Sequence, residues 1–375
     1  MGVTSGHMCQ QAVRVSCRSP QGGGSREGGR IHPEGCAEIS TYGHQALLFD
    51  PASLKTCSMR TLPKLILAKD LSLIGGDSRK LSMAAKSGNL VRVRHGVYVD
   101  AKSWAALERW ERYALSVAAA AETFTSATVF SHHSAATIHG IPTIVGRQPV
   151  HALSSYAGGG RSRAGVRRHY VSDGLQEAEE TNGFLVTGRV RTALDIAASV
   201  PFAEAVVPMD FLLSQGRHRK PVTRDELLND IDARYSKAAA KRVAAVVQFA
   251  ATNSGSPGES YCRGLMHLAG FAAPELQYEV RTKVGVVYTD YYWKDARVVG
   301  EFDGREKYLK PEFLNGRTPS QVVIDEKSRE DAIRATGRSV FRLVWSDLTV
   351  GKLERELVTA GVPRRRRASA GHANS

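Results

Sequence analysis

The sequence predicts an α/β multidomain chain, and three observations predict it. Two short helical stretches lead directly into a basic β-hairpin pattern between Leu62 and Asp100. From residue 101 to residue 250, helical and strand-like segments mix, giving an α+β middle region. Beyond Ser256, two strands, a helix and a further strand follow in the order that a mixed sheet requires.

Length and composition bound what such a chain can do. Its 375 residues suffice for two or three domains, and 42% hydrophobic with 23% charged content allows real cores. Fifty-one Lys and Arg against 37 Asp and Glu leave a formal charge of +14. That charge favours polyanions, with DNA or other nucleic acid first and an acidic membrane surface second. An Arg-rich proteome is the bland alternative. No apolar run approaches the ~18 residues of a membrane span, and the first 20 residues lack a secretory signal's apolar stretch. The expectation is a cytoplasmic protein with no membrane partner. Cys9, Cys17, Cys36 and Cys57 precede residue 60, and only Cys262 follows. Without a CxxC pair, neither zinc in the head nor a disulfide scaffold is expected.

Residues 1–58 include SPQGGGSREGGRIHPEG, rich in Gly, Ser and Pro without an apolar period, and are expected to be disordered. One reading makes this head a product of translation from upstream of the natural start, with Met59 the initiator. The mass of the native protein tests it.

Residues 59–100 carry the first ordered unit. LPKLILAKDL reads as a short helix and DSRKLSMAAKSG as a second, with Asp77 or Ser78 as its N-cap and Gly88 at its end. In NLVRVRHGVYVD, two β-rich arms surround a His95-Gly96 turn. Helix, helix and basic hairpin is the order of a winged helix-turn-helix, whose second helix enters the major groove. Arg79, Lys80 and Lys86 then lie on or beside the recognition helix, and Arg92, Arg94 and His95 on the wing. Phosphates need cations and base edges need forked donors, so the residue types fit. A small helical domain with a solvated basic face is the alternative.

In the middle region, 101–250, KSWAALERWERYALSVAAAAETF reads as one strong helix. VFSHHSAATIHGIP reads as a strand end, a Ser cap and a short helix stopped by Gly-Ile-Pro. Its His132, His133 and His139 invite a metal reading, but no carboxylate or Cys completes the set, so packed or capping histidines are expected. VHALSSYAGGGRSRAGVRRHYVSD joins two strand-like pieces through a Gly-rich loop bearing Arg161, Arg163, Arg167 and Arg168. Such a loop suits phosphate contact, or is equally a solvated hairpin tip. SKAAAKRVAAVVQFA is a basic-faced helix, and ATNSGSPG a linker.

The last domain is placed at 256–350 and a mostly disordered basic tail at 351–375. Ser256, Pro257 and Glu259 make a capping-box start for a helix, a sufficient structural reason for Glu259. VVYTDYYW and ARVVGEFDG read as a hairpin turning at Lys294-Asp295. VVIDEKSREDAIRATG is then a crossover helix into a final strand, SVFRLVW, which implies a parallel pair. With a two-residue loop, Asp290 lies opposite Val299, and Glu301 is its diagonal neighbour on one face, joined by Asp303. Carboxylates converging on one face need a cation between them, and Mg²⁺ matches that supply. A register shifted by one residue separates Asp290 from Glu301. A salt-bridge cluster using Arg297 and Lys307 is the alternative to an ion.

Two resemblances add to this reading. The motifs SPGES, TDYYW, GEFDGREKY, EKSRED and VFRLVWSDL, in that order, cover about a quarter of the chain. Together they resemble a bacterial domain related to the very-short-patch-repair endonuclease, within the PD-(D/E)xK restriction-endonuclease-like superfamily. Residues 60–100 with VRHGVYV, and SHHSAATIHGIP, are similar to AbiEi-type antitoxins of type IV toxin–antitoxin systems, which carry an N-terminal winged helix. The first resemblance implies a restriction-endonuclease-like α/β core, Mg²⁺ and phosphodiester hydrolysis by activated water. It places Asp290 and Glu301 as metal ligands beside Asp303, and Glu259 as the helix acid. The motif's lysine position holds Asp303 instead, so Lys307 or Lys327 is left to polarise the water, with Arg305 and Arg329 as oxyanion partners. The second resemblance implies a DNA-binding protein with a possible cognate toxin. The two together give a protein whose C-terminal domain cleaves nucleic acid with Mg²⁺, or, as the alternative, an antitoxin or transcription regulator in which that domain is inactive and used for binding. Both readings stay open at this point.

Overall fold

The computed structural model describes residues 62–73, 75–144, 146, 148–155, 164–171, 178–214, 222–229, 231–303 and 318–366. The predicted disordered head, Arg161, Arg163, Arg305, Lys307 and residues 367–375 lie outside them. The chain is mixed α/β with several sheets, one of them a mixed four-stranded sheet.

At the N-terminal end, β1 (Ile66–Leu67) runs into α1 (Ala68–Leu73), where a single helix was expected. Ile66 pairs with Tyr98 and Leu67 with Val97, a strand partner that arrives only with the hairpin. The second helix, α2 (Arg79–Lys86), stands where its caps predict. Asp77 accepts the Arg79 N–H at 2.9 Å, and Gly88 takes φ +81° after the last turn, a left-handed angle that a β-carbon disfavours. β2 (Leu90–Arg94) and β3 (Val97–Asp100) follow, giving a sheet ordered β1-β3-β2 with an irregularity between Arg92 and Arg94.

The long helix predicted after Asp100 is two helices, α3 (Ala101–Ala106) and α4 (Arg109–Ala121). The break comes from competing caps: Glu108 is extended, and its N–H donates to the Glu111 carboxylate at 2.8 Å. Next come α5 (His132–His139), β4 (Val150–Ser154), β5 (Val166–Tyr170), β6 (Ala178–Thr181) and β7 (Phe184–Thr187). β4 and β5 pair parallel, so the arginine loop between them is not a hairpin tip. Phe130 bridges Ala152 on one side and Val186 on the other, joining the two strand pairs over a core of Tyr113, Val117, Ile138 and Val150. α6 (Arg189–Ser199), α7 (Phe202–Leu213), α8 (Arg224–Leu228), α9 (Ile231–Arg234) and α10 (Lys237–Phe249) form a helical layer around Leu194, Met209, Leu212 and Val247.

α11 (Pro257–Leu268) starts at Ser256, as its capping residues predict. It packs against α7 so closely that a β-carbon on Gly264 would come within 2.7 Å of the Ala203 α-carbon. On the same helix Arg263 holds Asp210 of α7 in a buried bidentate pair, both contacts 2.9 Å. The helix of the last domain is therefore also a wall of the helical layer.

β8 (Glu275–Thr282), β9 (Gly285–Trp293) and β10 (Val298–Asp303) form an antiparallel meander. α12 (Pro319–Arg334) then leads to β11 (Ser339–Val344), which pairs parallel with β10 as the crossover rule requires. The expected tail is instead ordered at its start: α13 (Val350–Thr359) buries Leu353 and Leu357 against Phe271 and Leu343. Those leucines stand four apart on one helix face, a signal that the arginine run beyond them hides. Among the described residues, no helix is long and apolar enough to cross a membrane.

Candidate functional site

The β9–β10 hairpin decides how the predicted carboxylates meet. Trp293 pairs with Val298, so the loop holds four residues rather than two. The Arg297 N–H donates to the Lys294 carbonyl at 3.1 Å, and Arg297 takes a φ of 54°. Asp290 consequently lies two places from its predicted partner, opposite Glu301 by continuation of the register rather than opposite Val299. A two-residue shift preserves the face, because side chains alternate with period two.

Each carboxylate there is held by the protein. Asp290 accepts the Phe302 N–H at 2.7 Å. Glu301 receives both terminal nitrogens of Arg329 at 3.1 and 3.2 Å, a bidentate arrangement. The same guanidinium also donates to the Tyr288 carbonyl. Asp303 faces Arg342 at 3.7 Å, and Arg342 is shared with Glu326 and Glu330 at 3.0 Å each. Glu259, on α11, accepts the Gly255 N–H at 2.8 Å and the Gln277 amide at 3.2 Å, so it caps a helix start and a loop. Lys327 is exposed on α12, and Arg297 donates to the Thr336 carbonyl, away from these acids. Among the described residues, Asp290, Glu301 and Asp303 do not form a group whose oxygens converge on one point. Arginine engages Glu301 closely and Asp303 at longer range, whereas Asp290 is held by a backbone N–H.

The basic residues are distributed differently. Arg79, Lys80 and Lys86 are exposed on α2, and Arg92 and His95 on the hairpin. Arg79 also contacts Asp77 at 3.1 Å. On β5, Arg167 and Arg168 are exposed. Arg94 of the hairpin and Arg168 of β5 both lie over the Phe124 ring, at 5.9 and 5.6 Å from its centroid. Burial, and then the charge of Arg168, draws the Arg94 guanidinium below its ordinary range. Among the described residues, neither arginine has a carboxylate within ion-pair distance. The hairpin and the middle region thus present one basic surface built around an aromatic ring.

A third cluster escaped the sequence reading in its membership. His132 meets His151 of β4 and His169 of β5, whereas His139 turns away to the Thr187 carbonyl at 2.8 Å. His133 stands beside His151, their rings 5.4 Å apart. Burial pushes His133 and His169 down to about 4 and His151 to about 3, and drives His132 well below its usual range. All four are neutral at pH 7. A histidine in each of VHALS and RRHYV was the only available signal, and it becomes one only when the two strands are known to pair.

No family model matches the chain. It is similar to two uncharacterized proteins of Mycobacterium tuberculosis, MT2308 of strain CDC 1551 and Rv2248 of strain H37Rv. Each is 26% identical over 272 residues, spanning 67% of this chain and 92% of the relative. Among solved structures it is similar to the RV2827C protein from Mycobacterium tuberculosis, at a TM-score of 0.35 and 15% identity. That match covers 62% of this chain and 88% of the other.

Proposed function

We propose that this chain is a cytoplasmic DNA-binding regulator of the AbiEi-antitoxin type. In this reading it grips the duplex backbone with a winged helix and the adjoining β5 surface. Its C-terminal nuclease-fold domain serves binding rather than cleavage, and a cognate toxin is the protein partner that the resemblance implies.

The observation that carries the reading is the Arg94–Phe124–Arg168 cluster. Two like charges held over one ring without a neighbouring acid repel each other until an anion arrives, and the DNA backbone supplies one phosphate after another. The helix, helix, hairpin order of residues 68–100, with α2 exposing Arg79, Lys80 and Lys86, supports a winged helix. The order α11, meander, α12, parallel β11 supports the restriction-endonuclease-like core. The bidentate Arg329–Glu301 pair favours binding over hydrolysis, since a carboxylate occupied by a guanidinium is not offered to a metal.

Fluorescence anisotropy of labelled duplex DNA, repeated across salt concentrations, tests the first half. Binding should weaken steeply with salt, and Arg94→Ala with Arg168→Ala should lower the logarithmic slope by roughly two. Absence of binding, or a slope unaffected by both changes, overturns the reading. Plasmid nicking with and without Mg²⁺ tests the second half. Mg²⁺-dependent nicking that Asp290→Ala abolishes would make the C-terminal domain a nuclease, with the carboxylates released from their arginines.

A further inference from the structure

The middle region holds chemistry that DNA binding does not use. One ring nitrogen from each of His132, His151 and His169 lies within 4.8 Å of the other two. Three separate elements bring them there. β4 and β5 pair with His151 beside Arg167 and Leu153 beside His169, so the two imidazoles leave one face two positions apart. His132 Nδ1 lies 3.1 Å from the Ser131 hydroxyl, which leaves the other ring nitrogen for the cluster. To enter, His132 takes a φ of 49°, a conformation that a residue with a β-carbon keeps only when its surroundings impose it.

The cluster is not closed by its own hydrogen bonds. His151 Nδ1 and His169 Nε2 face each other at 2.8 Å, where one proton serves both. Among the described residues, His151 Nε2 and the neighbouring His133 Nδ1 are buried without a hydrogen-bond partner. Packing for its own sake gives no reason to gather polar rings and leave two nitrogens unsatisfied. We propose that His132, His151 and His169 form a binding site for a divalent first-row transition metal ion, with Zn²⁺ the first candidate.

Imidazole nitrogen suits zinc, copper, nickel and iron, whereas an all-nitrogen set repels the preferences of Mg²⁺ and Ca²⁺. Three protein ligands leave a fourth position for water, as in a catalytic rather than a closed structural zinc site. Zinc–nitrogen bonds of about 2.0–2.1 Å place tetrahedral ligands roughly 3.3 Å apart, so His151 and His169 need to part by about half an ångström. The Ser131 contact plays the outer role that fixes a ligating ring's tautomer and aim.

The test uses the full chain, stripped with chelator and titrated with Co²⁺ under visible absorption and with Zn²⁺ under calorimetry. The expected result is one ion per chain, with the d–d bands of a low-coordinate site. His169→Gln, at the half-buried edge of the cluster, should weaken binding by roughly tenfold or more. His139→Gln, on the same helix but outside the cluster, should leave it unchanged. A folded wild-type chain that binds neither ion overturns the proposal, as does binding that survives both His169→Gln and His151→Gln. If the variants lose their fold, the wild-type spectrum decides alone: d–d bands support the site, and their absence refutes it.

Discussion

Arg263 and Asp210 illustrate how much one buried pair can commit a chain. Their side chains are 7% and 2% exposed, and the aspartate gains a second anchor in the Ala251 N–H at 2.7 Å. Burial pushes the Asp210 carboxyl up, and Arg263 opposes that push. Replacing Asp210 by Ala leaves an uncompensated guanidinium, so urea unfolding should show a loss of about 3–5 kcal/mol. Gly258 sets a steric limit on the other face of the same helix. A β-carbon there would meet the Phe302 ring at 2.1 Å, and Gly258→Ala should cost about 1–3 kcal/mol of overpacking in the same assay. Asp347 supplies a pH signature. Desolvation raises its carboxyl, but Lys352 at 2.6 Å and the Val344 N–H at 2.8 Å outweigh that and hold it below the ordinary range. A carboxyl depressed in the folded state contributes stability above its unfolded value and loses it as pH falls through its folded value. Asp347→Asn should therefore melt below the wild type at pH 7, and the gap should close as the pH drops toward 2.

Among the elements, the β9–β10 hairpin shows what the sequence made legible. Alternation along TDYYW and VVGEFD put Asp290 and Glu301 on one face, and that survived a loop two residues longer than expected. Loop length itself was not readable. Lys-Asp looks like a complete turn, and only the left-handed angle at Arg297 reveals a four-residue connection. The capping residues of α2, α11 and the crossover into β11 were equally plain, because caps and handedness are local rules. Long-range partners were not: Arg329 and Arg342 reach Glu301 and Asp303 from another helix and strand. The histidine triad depended likewise on β4 and β5 being parallel. A double-mutant cycle checks the first of these partnerships. Arg329→Ala alone should destabilise by about 1–2 kcal/mol, and adding Glu301→Ala should return part of that loss. Additive losses would show that the pair contributes nothing.

At the level of the whole molecule, α11 makes the last sheet and the helical layer share one support. Its Gly264 side meets α7 while its Gly258 side meets the sheet. A fragment beginning at residue 256 therefore exposes the α7-facing surface, Arg263 included, and should be less stable than the same segment within the full chain. Thermal melting of the fragment against the intact protein checks this, and equal midpoints would show that the sheet needs no such support.

The parallel pairing of β10 with β11 also carries a cost in time. The meander β8–β10 is local and can close soon after synthesis, but β11 returns only after α12, and Leu353 and Leu357 come later still. Until then, Phe302 and Phe271 have α11 on one side but lack the cover of Leu343, Leu353 and Leu357. On the ribosome this sheet stays a half-built platform until β11 and α13 have both emerged. A nascent chain stalled before residue 350 is thus the form of this protein most dependent on chaperones.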